Sequence, residues 1–204
     1  MPRVKKISDD QVLDQALAVL LESGPHRVTL PEVGRVVGLS PSTLIQRFGS
    51  KRALMDRVLE RATDQLRGAL SAREPSGDAR RDLLDLMASQ ARPLRTRAHI
   101  AGNLSLLIED ITDEARRAIA QRHMAVMREG IAAHLRAMGS PSVEAHVGMI
   151  EAHWNGLGIQ WAMQDEEIEL EAWIKRGLGT LLDALLPVSR CAAQHDEITG
   201  LGGL

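Results

Sequence analysis

The sequence has no tyrosine, one phenylalanine and three tryptophans, so aromatics make up only 2% of its 204 residues. With Ala, Leu, Met and Arg abundant in their place, the balance favours helix over sheet. The single cysteine, Cys191, excludes an internal disulfide and fits a reducing cytoplasm. No apolar run reaches the roughly 18 residues that a membrane helix needs. The segment Met1 to Lys6 leads into an acidic helix start, so neither a signal peptide nor a membrane span is expected. Catalytic signatures are missing as well. There is no Ser-His-Asp order, no glycine-rich phosphate loop and no CxxC, so neither an enzyme nor a cofactor is expected. His146 and His153 share a helical face with Glu151 nearby, but they stand seven apart, whereas a helical zinc pair needs a spacing of about three or four. No metal site is expected there; a polar pocket or interface role is. His123 and His134 also share a face and are expected to be solvated.

What is present describes an ordinary globular chain, 44% hydrophobic and 25% charged, long enough for one small domain and one larger one. The net charge of −2 hides an asymmetry. Residues 1–61 carry ten Lys and Arg against seven Asp and Glu, and the remainder carries 15 against 20. A polyanion would meet the front end. Arg3, Lys5 and Lys6 form a short basic arm there, either a disordered start or a contact to a nucleic-acid backbone.

The most specific signal lies in residues 29–51, TLPEVGRVVGLSPSTLIQRFGSK. Thr29 with Glu32 three residues on reads as a capping box, and Pro31 sits in the first turn, where no amide partner is lost. Gly38 suits the left-handed conformation that ends a helix. Ser40-Pro41 is a second start, a capping serine before a proline at the first helical position. Ser50, after Gly49, is a third. Two short helices around a glycine turn are what a DNA-reading helix-turn-helix requires. Upstream, Ser8 to Gln11 opens another helix with its own capping box, and Ile7 and Val12 stand at hydrophobic-staple spacing. Val12, Leu13, Ala16, Leu17, Leu20 and Leu21 give that helix an apolar face, and Gly24-Pro25 stops it. Val28, Val33, Val36, Val37, Leu39, Leu44 and Phe48 are expected to close against it as a three-helix core. Gly34, mid-helix, costs roughly 1 kcal/mol relative to alanine, and close approach of a neighbouring helix would explain it.

Further on, a long helix is expected from Ser50 through Arg73, broken by residues 74–77. Others should run from Asp78 to near Pro93 and from Ala98 to Ile108, with Thr112 capping one that reaches Met138. In residues 141–163, Val143, Val147, Ile150, Trp154, Leu157 and Trp161 alternate by four and three beside a small-residue stripe, Ala145, Gly148, Ala152 and Gly156. That pattern lets two helices approach closely. Ile174, Leu178, Leu181 and Leu185 repeat the spacing. The tail 188–204, with three glycines, is expected to be flexible. The reading is all-α, about nine helices, divided into a DNA-binding domain at 1–50, a body at 51–187 with helix 51–73 shared by both, and the tail.

Residues Ser8 to Leu59 resemble the tetracycline-repressor (TetR) family of bacterial regulators. The resemblance rests on the first helix, TLPEVGRVVGLSPSTL, Phe48 and GSKRALMDRVLE. It implies a cytoplasmic homodimer, paired through helices 141–163 and 168–186, that represses transcription from a palindromic operator and is released by a small, largely apolar molecule. Expected DNA contacts are Thr29, Pro41, Ser42, Thr43, Ile45, Gln46, Arg47 and Lys51. Gln46 suits adenine, Arg47 guanine, and Lys51 a phosphate. Ile45 replaces the family's usual tyrosine and forgoes its hydroxyl contact to phosphate. For a ligand, Met149, Trp154 and Trp161 would supply apolar wall and Asn103 and His153 polar groups, with Leu107 and Met127 completing the set. The tryptophans could instead pack the core or the dimer. An activator, or a small-molecule binder with a vestigial front domain, are the alternative readings.

Overall fold

The structure, a computed structural model, describes residues 7–24, 28–165 and 168–186. The basic arm, Cys191 and the glycine-bearing tail lie outside the described residues. Among those described there are nine helices and no strand: α1 Asp9–Ser23, α2 Leu30–Val37, α3 Pro41–Phe48, α4 Lys51–Ala72, α5 Ala79–Ser89, α6 Arg97–Thr112, α7 Glu114–Ala137, α8 Val143–Met163 and α9 Leu170–Leu185.

Local chemistry sets the helix starts. Ser8 accepts from the Gln11 amide at 3.2 Å while the Gln11 side chain accepts from the Ser8 amide at 3.1 Å, a complete capping box. Ser40 and Ser50 cap α3 and α4 by accepting from the Thr43 and Ala53 amides. At α2 only half of the expected box forms. The Thr29 hydroxyl accepts from the Glu32 amide at 3.3 Å, but the Glu32 carboxylate accepts from the Ser23 hydroxyl at 2.7 Å instead, which ties α2 to the end of α1. Thr112 does not cap α7. It closes α6, donating to the Ile108 carbonyl at 2.8 Å, and Asp113 takes the cap by accepting from the Arg116 amide at 3.0 Å. Asp113 thus ends one helix and starts the next, and α6 runs four residues past the Ile108 expected from sequence.

Two apolar cores result. One joins α1 to α4 and includes Val12, Leu20, Val28, Leu44 and Leu54, each no more than 1% exposed. Val36, expected inside, is 44% exposed, because α2 buries only the face that carries Val33, Gly34 and Val37. Gly34 is explained by its own turn and not by a neighbouring helix. A Cβ there would stand 2.4 Å from the Leu39 carbonyl oxygen, where the chain folds back so that the Leu39 amide bonds the Gly34 carbonyl at 2.9 Å. The second core joins α5 to α9 through residues such as Leu83, Ile131, Leu135, Ile150, Ile174 and Leu178.

The two cores meet along α6. Leu106 belongs to the first and Leu21 touches both. Backbones approach closely there, since a Cβ on Gly102 would stand 2.6 Å from the Leu21 carbonyl oxygen. The heptad residues of α8 turn into the second core. The Trp154 indole donates to the Met87 carbonyl at 3.0 Å and that of Trp161 to the Ile168 carbonyl at 2.6 Å. The small-residue stripe faces outward, with open space at Gly148 and Gly156.

Candidate nucleic-acid interface

Helix α3 is held from behind. Leu44 and Phe48 are buried in the first core, which leaves Pro41, Ser42, Ile45 and Gln46 exposed and Thr43 and Arg47 half-buried. The turn that fixes α3 against α2 depends on Gly38, left-handed at φ 70°. Behind the helix start, the Ser40 hydroxyl lies 2.8 Å from both the Ser42 and Thr43 hydroxyls, so three hydroxyls share one cap. Gln46 makes no side-chain hydrogen bond among the described residues, and Ile45 is 40% exposed. Thr29 at the start of α2 is exposed and Lys51 at the start of α4 half-buried.

Arg47 is placed differently from its sequence expectation. Its Nε donates to Asp9 Oδ1 at 2.8 Å, its Nη2 meets the same carboxylate, and Nη2 also donates to the Ile7 carbonyl at 3.2 Å. The guanidinium lies 5.7 Å from the Phe48 ring centroid, and that of Arg57 lies 5.4 Å from it. Sequence reading missed Asp9 as a partner, having seen it only as an acidic residue at a helix start. Arg35 and Arg57, exposed on α2 and α4, add positive charge to the same domain.

The candidate ligand residues do not converge. Asn103 and Trp154 line a cavity of about 20 Å³, bounded also by Leu94, Ile100 and Ile174, which is room for about one water. Met127 and Trp161 pack against the second core, while Leu107, Met149 and His153 lie on the surface. His146, buried, bonds through Nδ1 with the Ser140 hydroxyl at 2.8 Å, so it does not act with the exposed His153. His123 and His134 are half-buried, not solvated. Burial lowers the pKa of both, and His123 Nδ1 lies 3.1 Å from the Thr63 hydroxyl.

A larger cleft of about 420 Å³ lies where the first domain meets the body, over Leu20 and Met55. Its inner wall includes Arg116, 5% exposed, which no sequence signal had marked. Arg116 Nε donates to Asp110 Oδ1 at 3.2 Å. Its other nitrogens lie 3.7 Å from Asp56 on α4 and 3.7 Å from Glu109 on α6. One buried guanidinium therefore faces carboxylates on two helices that belong to different parts of the molecule. Burial raises the pKa of Asp110 even against the attraction of Arg116. Above it, Arg52 bonds Asp113 at 2.8 Å, a second link from α4 to the start of α7.

Residues 12–58 match the family described as bacterial regulatory proteins, tetR family. No curated protein matches the chain. Among solved structures, the chain is similar to a transcriptional regulator from Rhodococcus sp. Rha1 (21% identity, TM-score 0.69, covering 89% of this chain and 100% of that one). It is similar to a tetR-family regulator from Streptomyces coelicolor (19% identity, TM-score 0.67, covering 87% and 79%). A transcriptional regulator from Saccharomonospora viridis, solved in complex with choline, is also similar (18% identity, TM-score 0.65, covering 86% and 95%). At these identities the structural likeness concerns the fold.

Proposed function

The chain belongs to the tetR family of bacterial regulatory proteins, a DNA-binding transcriptional regulator and not an enzyme, and from that premise we propose that it is a repressor that grips a palindromic operator as a homodimer and is released by a small molecule. The observation that carries this reading is the outward row on α3. Leu44 and Phe48 are spent on packing, so Ser42, Thr43, Ile45 and Gln46 are offered to a major groove. Gln46 supplies the donor and acceptor that pair with adenine, and Ile45 an apolar contact for a thymine methyl. Thr29, Pro41 and Lys51 hold the sugar-phosphate backbone at the starts of α2, α3 and α4, where helix dipoles favour anions. Arg47 stands beside them.

Dimerisation through α8 and α9 is supported by the outward face of α8, where Ala145, Gly148 and Ala152 are small enough for close helix approach and Met149 adds exposed apolar surface. Two recognition helices must then lie roughly 34–36 Å apart to reach successive major grooves. A ligand that moves the molecule from 1:99 to 99:1 between binding and released states must prefer one of them by about 5.5 kcal/mol. The choline complex of a structural relative supports a small-molecule effector in this chain too. Its place in the body is proposed around Asn103 and Trp154, where the small cavity would have to widen. Selecting bound fragments from the protein's own genome and footprinting them tests the reading. An inverted repeat with half-sites about one helical turn apart is expected; recovery of no sequence above background would overturn it.

A further inference from the structure

The structure assigns Asp9 a role in DNA specificity: we propose that it clamps Arg47, turning a potential guanine reader into a strut and leaving base selection to its neighbours. The inference rests on α3 being the recognition helix, and its test separates the two claims. An arginine reads guanine by presenting two parallel N–H groups to O6 and N7. Arg47 has two such edges, and both include Nη2. Nε is bonded to Asp9 Oδ1 at 2.8 Å, and Nη2 is shared between the same carboxylate and the Ile7 carbonyl at 3.2 Å. Of its three guanidinium nitrogens, only Nη1 makes no hydrogen bond to a described residue. The two N–H groups of Nη1 diverge from one nitrogen, so they can meet a phosphate but cannot form the two-pronged guanine contact, which takes parallel N–H groups from two nitrogens.

More than one exposed ion pair holds this arrangement. The Arg47 side chain is 22% exposed, its guanidinium stands over Phe48, and Asp9 is fixed in the first turn of α1 by the complete Ser8–Gln11 capping box. Asp9 and Arg47 are 38 residues apart, so the clamp also fixes the angle between α1 and the recognition helix. To read a base, Arg47 would have to break both arms and leave Asp9 facing the operator phosphates unpaired. Gln46, on the adjacent outward position, has no such commitment.

The test is selection from a randomised operator, followed by titration of the selected DNA, with wild type, Asp9→Ala, Asp9→Asn, Arg47→Ala and the double variant Asp9→Ala/Arg47→Ala. Wild type and Arg47→Ala should select the same base pairs. Asp9→Ala should gain a preference for guanine of about tenfold at one position per half-site. Asp9→Asn, which keeps the acceptor but not the charge, should fall between them, and the double variant should lose the new preference. A purely structural role for Asp9 would weaken all sequences alike and create no new preference, which would overturn the proposal. Loss of a guanine from the wild-type pattern on Arg47→Ala would overturn it equally. If wild type selects no sequence at all, the recognition-helix reading itself falls, and the clamp with it.

Discussion

His123 shows what one residue can report. It stands on α7 facing α4, with Nδ1 at 3.1 Å from the Thr63 hydroxyl, and burial holds its pKa below the ordinary 6.5. The unfolded chain therefore takes up the proton first. Stability is at its full value above pH 6.5 and declines as the pH falls through the lower folded value. His134 works in the same direction, also through burial. Denaturant unfolding at pH 7.5 and 5.5 checks this: wild type should lose stability at the lower pH, and His123→Gln should lose less. Equal losses in both would show that His123 does not carry the effect. Residue-scale roles of this sort were poorly legible in the sequence. A spacing of eleven puts His123 and His134 on what reads as one solvated face, because nothing local announces that α4 covers His123. The Asp9–Arg47 pair spans 38 residues for the same reason. The hydroxyl and carboxyl caps, by contrast, act within about three residues, and Ser8, Ser40 and Ser50 all start helices where expected.

At the scale of elements, the helix-turn-helix depends on the absence of a side chain. Gly34→Ala would drive a Cβ to 2.4 Å from the Leu39 carbonyl oxygen, a backbone atom with little freedom to yield. Helix propensity alone favours alanine by roughly 1 kcal/mol. The substitution should nonetheless destabilise the protein, by about 1–3 kcal/mol as an overpacking change, measured by denaturant unfolding. A stabilised protein would contradict the account of the turn. The sequence marked Gly34 as costly but not why, since the clash comes from the returning loop and not from another helix. A second element-scale device is Arg116, which joins α7 to carboxylates of α4 and α6. Arg116→Leu leaves the half-buried Asp56 and Asp110 without their counter-ion. The expected loss is smaller than the roughly 3–5 kcal/mol of a fully buried pair, because water reaches both carboxylates. Asp56→Asn combined with Arg116→Leu should recover part of it. A neutral Arg116→Leu result would mean that the junction does not need its charges. Helix α4 carries Lys51 at one end and this junction along its length, so it joins the N-terminal helices to the body alongside the α1–α6 contact at Gly102.

For the whole molecule, the fold class and the nine-helix layout were legible from periodicity and caps. The sense of α8 was not. Its heptad row reads as a candidate dimer seam, yet Val147, Ile150 and Leu157 are buried within the chain's own second core. Both the four-three row and the small-residue stripe are helical faces, and only the placement of α7 and α9 decides which one turns inward. The outward stripe gives the dimer prediction. Gly148 has open space around it, so Gly148→Trp should fold as a monomer unit but keep two copies apart. Light scattering should report half the wild-type mass. Operator affinity should drop more than tenfold, because the second half-site no longer binds at a high effective concentration. An unchanged mass would place the dimer contact elsewhere. The ligand residues were the least legible part. Side-chain type alone does not set which way a helical residue faces, and of the candidates Asn103 and Trp154 line a common cavity.

The central claim, that α3 reads operator DNA while α4 holds its backbone, is tested most directly by titrating a genome-selected fragment at several salt concentrations with wild type, Gln46→Ala and Lys51→Ala. Lys51→Ala is predicted to weaken binding to all sequences and to reduce the salt slope by about one. Gln46→Ala is predicted to leave the slope unchanged while relaxing selection at one base pair, at a cost of about 1–3 kcal/mol. Identical curves for all three proteins would contradict the account.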